Sequence, residues 1–154
     1  MNDPTAFLRH AVDLALANVA AGGRPFGAVM VRAGAVIATG VNQIGVTNDP
    51  TSHAEMNAIR AGSQVLQSPS LADCHVYASG QPCPMCMAAM RMAGIASVTY
   101  AYSNEDGEPF GLSSASIYAD LARPFAQQSM MIRHHPMAPD GQPALYRDWH
   151  SRQA

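Results

Sequence analysis

Two short segments, His53-Ala54-Glu55 and Pro82-Cys83-Pro84-Met85-Cys86, decide how this sequence is interpreted. A Cys-x-x-Cys pair has the spacing to place two thiolates on one metal ion, and a histidine supplies a third ligand. Three ligands of this kind suit Zn²⁺ and leave one tetrahedral position open for water. Both segments fall at predicted helix starts, where the macrodipole and free N–H groups favour thiolate over thiol. The pattern therefore predicts one zinc ion held by His53, Cys83 and Cys86.

Glu55 is the predicted proton carrier of this site. It stands two residues after His53, close enough to reach a water on the metal without being a ligand itself. Zinc lowers the pKa of such a water to about 7, and a carboxylate can then carry its proton. Glu55 is therefore expected to act as a catalytic general acid and base.

Two other interpretations of the cysteine pair stay open. A Cys-x-x-Cys motif is also typical of thioredoxin-type redox modules, although these need neither an upstream His-x-Glu nor a proline directly before the first cysteine. A structural zinc would need a fourth ligand, for which Cys74 and His75 are the nearby candidates. Both begin a predicted strand, and a free cysteine is more often simply buried. We therefore expect Cys74 to take no part in metal binding.

Composition narrows the class of protein. The chain has 154 residues, 48% of them hydrophobic and 13% charged, with a formal net charge of −2. These values suit a single domain over residues 1–154 and exclude a disordered chain. No apolar run reaches the ~20 residues of a membrane span, and no signal peptide is evident, so we expect a cytoplasmic protein. All nine basic residues are arginine and they are scattered, which argues against a nucleic-acid partner.

Helical and strand patterns alternate after an opening hairpin, which predicts an α/β fold with helices on both faces of a mixed sheet. Two segments, 42–50 and 103–111, are predicted to be turn-rich or irregular. The predicted elements are helix Pro4–Ala20, strands Gly27–Arg32 and Val36–Thr39, helix Ser52–Ala61, strand Val76–Ser79, helix Pro84–Ala93, strand Val98–Tyr102, helix Ser114–Leu121, strand Met130–Arg133 and helix Ala144–Ser151.

Further residues extend the two segments into a family pattern. Over about residues 4–125 the chain resembles the cytidine-deaminase-like superfamily, and within it the branch of guanine deaminases and tRNA adenosine deaminases. The resemblance implies a three-layer α/β/α sandwich with a mixed five-stranded sheet, and a zinc cofactor. It rests on Arg24-Pro25-Phe26-Gly27-Ala28-Val29, Asn42, Asn48-Asp49-Pro50-Thr51, His53-Ala54-Glu55-Met56 and Pro82-Cys83-Pro84-Met85-Cys86-Met87-Ala88-Ala89-Met90.

The chemistry that the resemblance implies is hydrolytic deamination of an amino-heterocycle with release of ammonia. Glu55 would take a proton from the attacking water and pass it to a ring nitrogen, while the backbone at Cys83 would support the developing alkoxide. Asn42 matches the family's substrate-positioning amide, although asparagine is also common in a turn after a strand. Phe26 matches a residue that packs on the base, and an ordinary core position is the other interpretation.

The sequence departs from guanine deaminases beside the expected pocket. Those enzymes carry a pair of aspartates that contributes to reading the guanine edge, whereas this chain has Ser113 and Ser114. A carboxylate only accepts from the N–H groups of that edge, whereas a hydroxyl can donate or accept. Gly80-Gln81 likewise replaces the Cys-Glu pair that usually precedes the Pro-Cys. We therefore expect a guanine-like purine, a pterin, a triazine or an isocytosine-type ring, bound through Asn42, Phe26, Ser113 and Ser114.

Two other substrate classes stay open. The Asp49-Pro50-Thr51 run before His53 suits purine deaminases, so adenosine in tRNA is one alternative. A chain of net charge −2 without lysine offers few phosphate contacts, however. Cytosine or cytidine is the other alternative. Members of this branch are commonly homodimers, sometimes with exchanged C-terminal segments, which implies a homodimer here.

Overall fold

The computed structural model describes residues 3–137 and 143–153, and the chain divides into two compact units, residues 1–119 and 120–154. Every residue predicted for the site lies in the first unit. The assignment of residues 1–154 to a single domain stays a prediction. Among the described residues, no helix is both long and apolar enough to cross a membrane.

A mixed sheet forms the centre of the first unit. Its elements are α1 (Pro4–Ala20), β1 (Gly27–Arg32), β2 (Ala35–Val41), α2 (Ile44–Thr47), α3 (Ala54–Leu66), β3 (Cys74–Gly80), α4 (Pro84–Ala93), β4 (Ser97–Tyr102), α5 (Asn104–Gly107) and a 3₁₀ turn (Glu108–Phe110), and α6 (Ala115–Leu121) starts within it. The strand order is β2-β1-β3-β4. Strand β1 is antiparallel to both of its neighbours, and β3 is parallel to β4.

Helices cover both faces of this sheet, because alternate residues of β1 face opposite ways. Val29 and Val31 pack with Ala11 of α1 on one face. Ala28 packs with Ala54 and Ala58 of α3 on the other face. This second face also carries the larger core, which includes residues of α4. The predicted α/β fold with helices on both faces is confirmed.

Glycines allow the helices to approach the strands closely. A Cβ atom at Gly27 would lie 2.4 Å from the carbonyl oxygen of Ala11, and one at Gly40 would lie 2.2 Å from that of Ala54. Backbone cannot yield at such distances, so both positions require glycine. Because α3 packs closely against β2, the N-terminus of α3 lies at the edge of the sheet where the site forms.

The predicted fifth strand, Met130–Arg133, is wrong: the described part of the chain contains four strands. Residues 131–137 are irregular, and Met130 and Met131 are 68% and 72% exposed. A strand forms only when a neighbouring strand accepts its backbone hydrogen bonds. Here Asp120 instead accepts from both the N–H and the hydroxyl of Ser129, at 2.9 Å each. The second unit otherwise contains a 3₁₀ turn (Phe125–Gln127) and helix α7 (Ala144–Ser151).

The other boundaries follow the sequence closely. Helices α1, α4 and α7 and strand β1 have the predicted bounds. Helix α3 begins at Ala54, two residues after the expected start, and extends five residues beyond the expected end to Leu66. The segments read as turn-rich contain the single helical turns α2 and α5.

Candidate active site

Two helix starts supply the predicted metal ligands. His53 is the N-cap residue of α3 and Cys83 is the N-cap residue of α4. Both have extended backbone, and neither side chain forms a capping hydrogen bond with its own helix. An N-cap side chain normally accepts from an N–H of the first turn. The imidazole of His53 and the sulfur of Cys83 are therefore available to bind a metal ion, and Cys86 lies buried in the first turn of α4.

The three ligand atoms stand at the separations that a tetrahedral zinc ion requires. Nδ1 of His53 lies 3.4 Å from Sγ of Cys83 and 3.7 Å from Sγ of Cys86, and the two sulfurs are 3.7 Å apart. Bonds of about 2.3 Å to sulfur and about 2.0–2.1 Å to nitrogen, at the tetrahedral angle, place ligand atoms about 3.4–3.8 Å apart. One nitrogen and two sulfurs are also donors that zinc prefers. The residues present fit zinc.

The two fourth-ligand candidates for a structural zinc lie elsewhere. Cys74 is fully buried in the hydrophobic core beside Met30 and Val76, and burial raises the pKa of its thiol. Nδ1 of His75 lies 2.7 Å from the hydroxyl oxygen of Ser97. Within residues 3–137 and 143–153, neither belongs to a group that could hold a metal ion. A centre with three protein ligands, which leaves a position for water, fits this arrangement better than a closed structural site.

Hydrogen bonds inside the ligand group set the protonation of the two thiols. The contact between the sulfurs of Cys83 and Cys86, together with that to His53, lowers the pKa of Cys83 to about 4. The same contact and burial raise the pKa of Cys86. The bond to Cys83 also raises the pKa of His53. At neutral pH the pair therefore holds one thiolate and one thiol.

Glu55 lies beside the ligand group without joining it. It is the second residue of α3 and is only 5% exposed. Its Oε2 accepts a hydrogen bond from Sγ of Cys86 at 3.3 Å. Burial raises the pKa of its carboxyl, because a desolvated carboxylate is less stable than the neutral acid. A carboxyl in this position can take up a proton and return it.

One cavity of about 360 Å³ brings most of the predicted site residues together. We call it the catalytic cavity. Of the residues predicted for the site, Cys86 alone does not line it, because its side chain is fully buried. The predicted residues on its wall are Phe26, Asn42, His53, Glu55, Cys83, Ser113 and Ser114. The structure thus gathers residues that lie up to 88 positions apart in the sequence, from 26 to 114.

Asn42 and Phe26 have surroundings that suit binding of a flat ring. Asn42 is 5% exposed, and its Oδ1 accepts from the N–H of Ile44 at 3.2 Å. This bond orients the amide and leaves Nδ2 without a hydrogen-bond partner among the described residues. Phe26 is half-buried and packs against Ala28 and Ala58. A Cβ atom at Gly80 would lie 3.0 Å from its ring, so Gly80 makes room for the ring.

The two serines have different local partners. The hydroxyl of Ser113 accepts from the N–H of Ala115 at 3.1 Å and so supports the start of α6. The hydroxyl of Ser114 donates to Oδ1 of Asn104 at 3.3 Å, and its N–H donates to the same oxygen at 3.1 Å. Because the Ser114 proton is directed to Asn104, the oxygen of Ser114 can act toward a ligand only as an acceptor.

Comparison with known proteins identifies the family. Residues 1–102 match the family model of the cytidine and deoxycytidylate deaminase zinc-binding region. The chain belongs to this deaminase family. It is 44% identical over 131 residues to guanine deaminase of Bacillus subtilis (strain 168), which covers 84% of this chain and 83% of that one. The crystal structure of the Bacillus subtilis guanine deaminase superimposes with a TM-score of 0.90 and 38% identity, over 98% of this chain and 95% of that one.

A second relative belongs to the RNA-modifying branch. The deaminase is 34% identical over 113 residues to a tRNA-specific adenosine deaminase of Aquifex aeolicus (strain VF5), covering 73% of this chain and 72% of that one. The predicted membership of the cytidine-deaminase-like superfamily and the zinc cofactor are confirmed. The redox interpretation of the cysteine pair is not supported by any of these relatives.

Three residues of the deaminase that sequence reasoning did not assign also belong to the site. Arg24 and Gln81 line the catalytic cavity, and the side-chain oxygen of Gln81 accepts from the N–H of Asn104 at 2.9 Å. The hydroxyl of Tyr118 donates to the carbonyl of Pro82, the residue before Cys83. Arg24 and Gln81 lie within segments already singled out from the sequence, although no role was assigned to either side chain, whereas no local pattern marks Tyr118.

Proposed function

We propose that this deaminase hydrolyses the amino group of a guanine-like purine or a related amino-heterocycle, releasing ammonia. His53, Cys83 and Cys86 would hold the zinc ion, whose contribution is a water molecule of lowered pKa. The observation that carries the proposal is the convergence of this ligand group, Glu55 and Asn42 on one cavity. The similarity to guanine deaminase over most of the chain supports it.

Glu55 performs the proton transfers in this proposal. Its carboxylate takes a proton from the attacking water and delivers it to a ring nitrogen. It then takes the second proton from the added hydroxyl and delivers it to the departing amine. Its buried position raises the pKa of the carboxyl, which favours the protonated form that the second half of each transfer requires. The N–H of Cys83 makes no hydrogen bond within the described chain, and it can donate to an oxygen that develops beside the ligand group.

The ring is held by contacts on either side of the reacting carbon. The free Nδ2 of Asn42 donates to a ring carbonyl, a group that guanine, pterin and isocytosine share. The aromatic ring of Phe26 offers an apolar surface against which the substrate ring can pack. Ser114 contributes an acceptor oxygen and Ser113 a hydroxyl, in place of the carboxylates expected in guanine deaminases. We therefore include pterins, triazines and isocytosine-type rings with guanine in the proposed substrate class.

An ammonia-release screen of the zinc-loaded protein tests this function. The panel contains guanine, guanosine, cytosine, cytidine, adenine, isocytosine, pterin, an aminotriazine and a tRNA carrying adenosine at the wobble position. We expect the highest kcat/KM for a free heterocycle with an amino and an oxo group on the two carbons that flank one ring nitrogen. Release from tRNA alone would favour the adenosine-editing alternative, and release from none of them would reject the deaminase proposal. The Glu55→Gln variant provides the inactive control.

We further propose that the enzyme is a cytoplasmic homodimer. Its cysteines are free thiols, which suits a reducing compartment. Large apolar side chains of the first unit are exposed, among them Tyr102 at 56% and Phe110 at 76%, and these two line one cavity. Contiguous exposed apolar surface is typical of subunit interfaces. Light scattering on the purified chain tests the mass, and a monomer at micromolar concentration would reject the dimer.

A further inference from the structure

The backbone around Arg24 is held in place at the mouth of the catalytic cavity. The carbonyl of Arg24 accepts from Nδ2 of Asn18 and from the N–H of Phe26, both at 2.8 Å. The ring of Pro25 fixes the φ angle of that residue. Arg24 is exposed and lines the cavity. Its position therefore follows from an ordered segment that also carries Phe26 into the site.

A second cavity meets the catalytic cavity at this residue. It has a volume of about 820 Å³ and lies between the end of α1 and helix α2. We call it the outer groove, and it shares Arg24, Asn42 and Pro50 with the catalytic cavity. A ring bound against Asn42 can therefore extend a substituent past Arg24 into the outer groove.

The charges along this route favour an anion. The outer groove has no acidic side chain on its wall, and its polar lining consists of amides, among them Asn18, Gln43 and Asn48, together with Arg24. Among the described residues, Glu55 is the one carboxyl on the wall of the catalytic cavity. The nearby carboxylate of Asp49 accepts from the N–H and hydroxyl of Thr51, at 2.8 and 2.7 Å. It lines neither cavity.

The guanidinium of Arg24 has unused hydrogen-bonding capacity. Within the described residues it takes part in no ion pair, since the ion pair found there joins Arg152 to Asp148, and its side chain makes no hydrogen bond to protein. An arginine whose planar guanidinium has no protein partner is suited to bidentate binding of a carboxylate or phosphate.

We propose that Arg24 is a specificity-determining residue that binds an anionic group, a carboxylate or a phosphate, carried by the substrate outside its reacting ring. The inference rests on the proposed deaminase function and adds a subsite to it. The reacting ring occupies the catalytic cavity beside Glu55, and the anionic group lies at the junction with the outer groove. The preferred substrate is therefore an acidic derivative of an amino-heterocycle.

Two matched series of compounds separate the sources of negative charge. Pterin and pterin-6-carboxylate share one amino-oxo ring and differ by a carboxylate. Guanosine and guanosine 5′-monophosphate share one nucleoside and differ by a phosphate. Each pair is compared in the zinc-loaded parent enzyme, in Arg24→Gln and in Arg9→Gln. Arg9 is an exposed arginine of α1 that lines neither cavity, so its substitution controls for the loss of one positive charge.

The expected result is a selective loss in the Arg24→Gln variant. For at least one of the two anionic compounds, kcat/KM falls about tenfold, mainly through KM, as for the loss of one charge-assisted pair at a partly exposed position. The neutral partner compound and the Arg9→Gln variant change by less than about twofold. Loss for the carboxylate alone or for the phosphate alone identifies the group. Equal effects on anionic and neutral compounds, or no effect, overturn the proposal.

Direct binding keeps this test separate from that of the deaminase function. Pterin fluorescence reports binding of pterin and pterin-6-carboxylate to the intact protein without turnover. Tighter binding of the carboxylate that disappears in Arg24→Gln supports the subsite even if no ammonia is released. Binding of both pterins that is insensitive to Arg24, together with unchanged kinetics for the phosphate pair, rejects the subsite even if the enzyme deaminates neutral rings.

Discussion

The Cys86 thiol donates to Oε2 of Glu55 at 3.3 Å, which joins the expected proton carrier to the expected metal ligands. Sulfur and carboxylate come from different helices and lie 31 residues apart in the chain. Both side chains are buried. The contact places the carboxyl beside the ligand group on one side and the catalytic cavity on the other, as a proton carrier requires.

Replacing Glu55 with glutamine removes the proton carrier while preserving size. We expect zinc content and folding to stay close to those of the parent, because the carboxyl is not one of the three grouped ligands. Activity at saturating substrate should fall by about two or more decades, as for the loss of a general acid and base. Metal analysis and ammonia release measure the two properties. Full turnover in the variant would contradict the mechanism, and loss of zinc would make Glu55 a ligand.

Zinc binding should release protons in a pattern set by the two cysteines. Cys83, with its pKa lowered to about 4, is already a thiolate at neutral pH, whereas Cys86, with its pKa raised, is still a thiol. Binding at pH 8 should therefore release about two protons, one from Cys86 and most of one from the bound water, whose pKa zinc lowers to about 7. Zinc affinity should fall by up to about two decades for each pH unit of acidification near pH 8. Below neutral pH the water keeps its proton, and the raised pKa of His53 supplies the second released proton instead.

Calorimetry in buffers of different ionisation enthalpy measures this release. Cys83→Ser and Cys86→Ser should each lose tight zinc binding. Cys74→Ala is the matched control, because Cys74 lies in the core outside the ligand group. Release of three protons at pH 8, as expected if both cysteines began as thiols, or loss of zinc in the control with folding retained, would contradict the assignment.

Ser114→Asp tests whether the side chain at position 114 forms a hydrogen bond with the edge of the substrate ring. The aspartate would add a charged acceptor to the cavity wall in place of an oxygen that is bonded to Asn104. We expect kcat/KM for guanine to rise relative to pterin, triazine and isocytosine, since matched buried polar groups discriminate strongly between ligands. Ser116→Asp introduces the same charge in α6 at an exposed position that does not line the cavity. Equal substrate ratios in both variants and the parent would show that Ser114 does not read the ring.

Tyr118→Phe tests whether α6 supports the metal-binding loop. The change removes the hydroxyl that donates to the carbonyl of the fully buried Pro82. An unsatisfied buried carbonyl costs about 1–3 kcal/mol, so urea unfolding should show a loss of that size. Because Pro82 precedes Cys83, we also expect weaker zinc binding in a competition with a chelator. Tyr102→Phe is the control, since the Tyr102 hydroxyl makes no hydrogen bond within the described chain. Unchanged zinc affinity in Tyr118→Phe would assign the contact to stability alone.

Local sequence patterns determined much of this enzyme. The bounds of α1 follow from Asp3, which accepts from the N–H of Thr5 at 2.9 Å, and from Pro4 at the first helical position. Those of α4 follow from Pro84 at its start and Gly94, which has a left-handed conformation, at its end. The spacing of His53, Cys83 and Cys86 predicted a zinc group before any distance was known. Such features depend on neighbouring residues, whose geometry the chain itself constrains.

Tertiary structure decided what depends on residues far apart in sequence. The fifth strand does not form, because Met130–Arg133 has no strand partner among the described residues and strand formation is never a local property. The pairing of Ser114 with Asn104, of Tyr118 with Pro82, and the position of Arg24 between two cavities are equally invisible in local patterns. The sequence therefore determined the chemistry of the metal site, whereas packing decided which side chains surround the substrate.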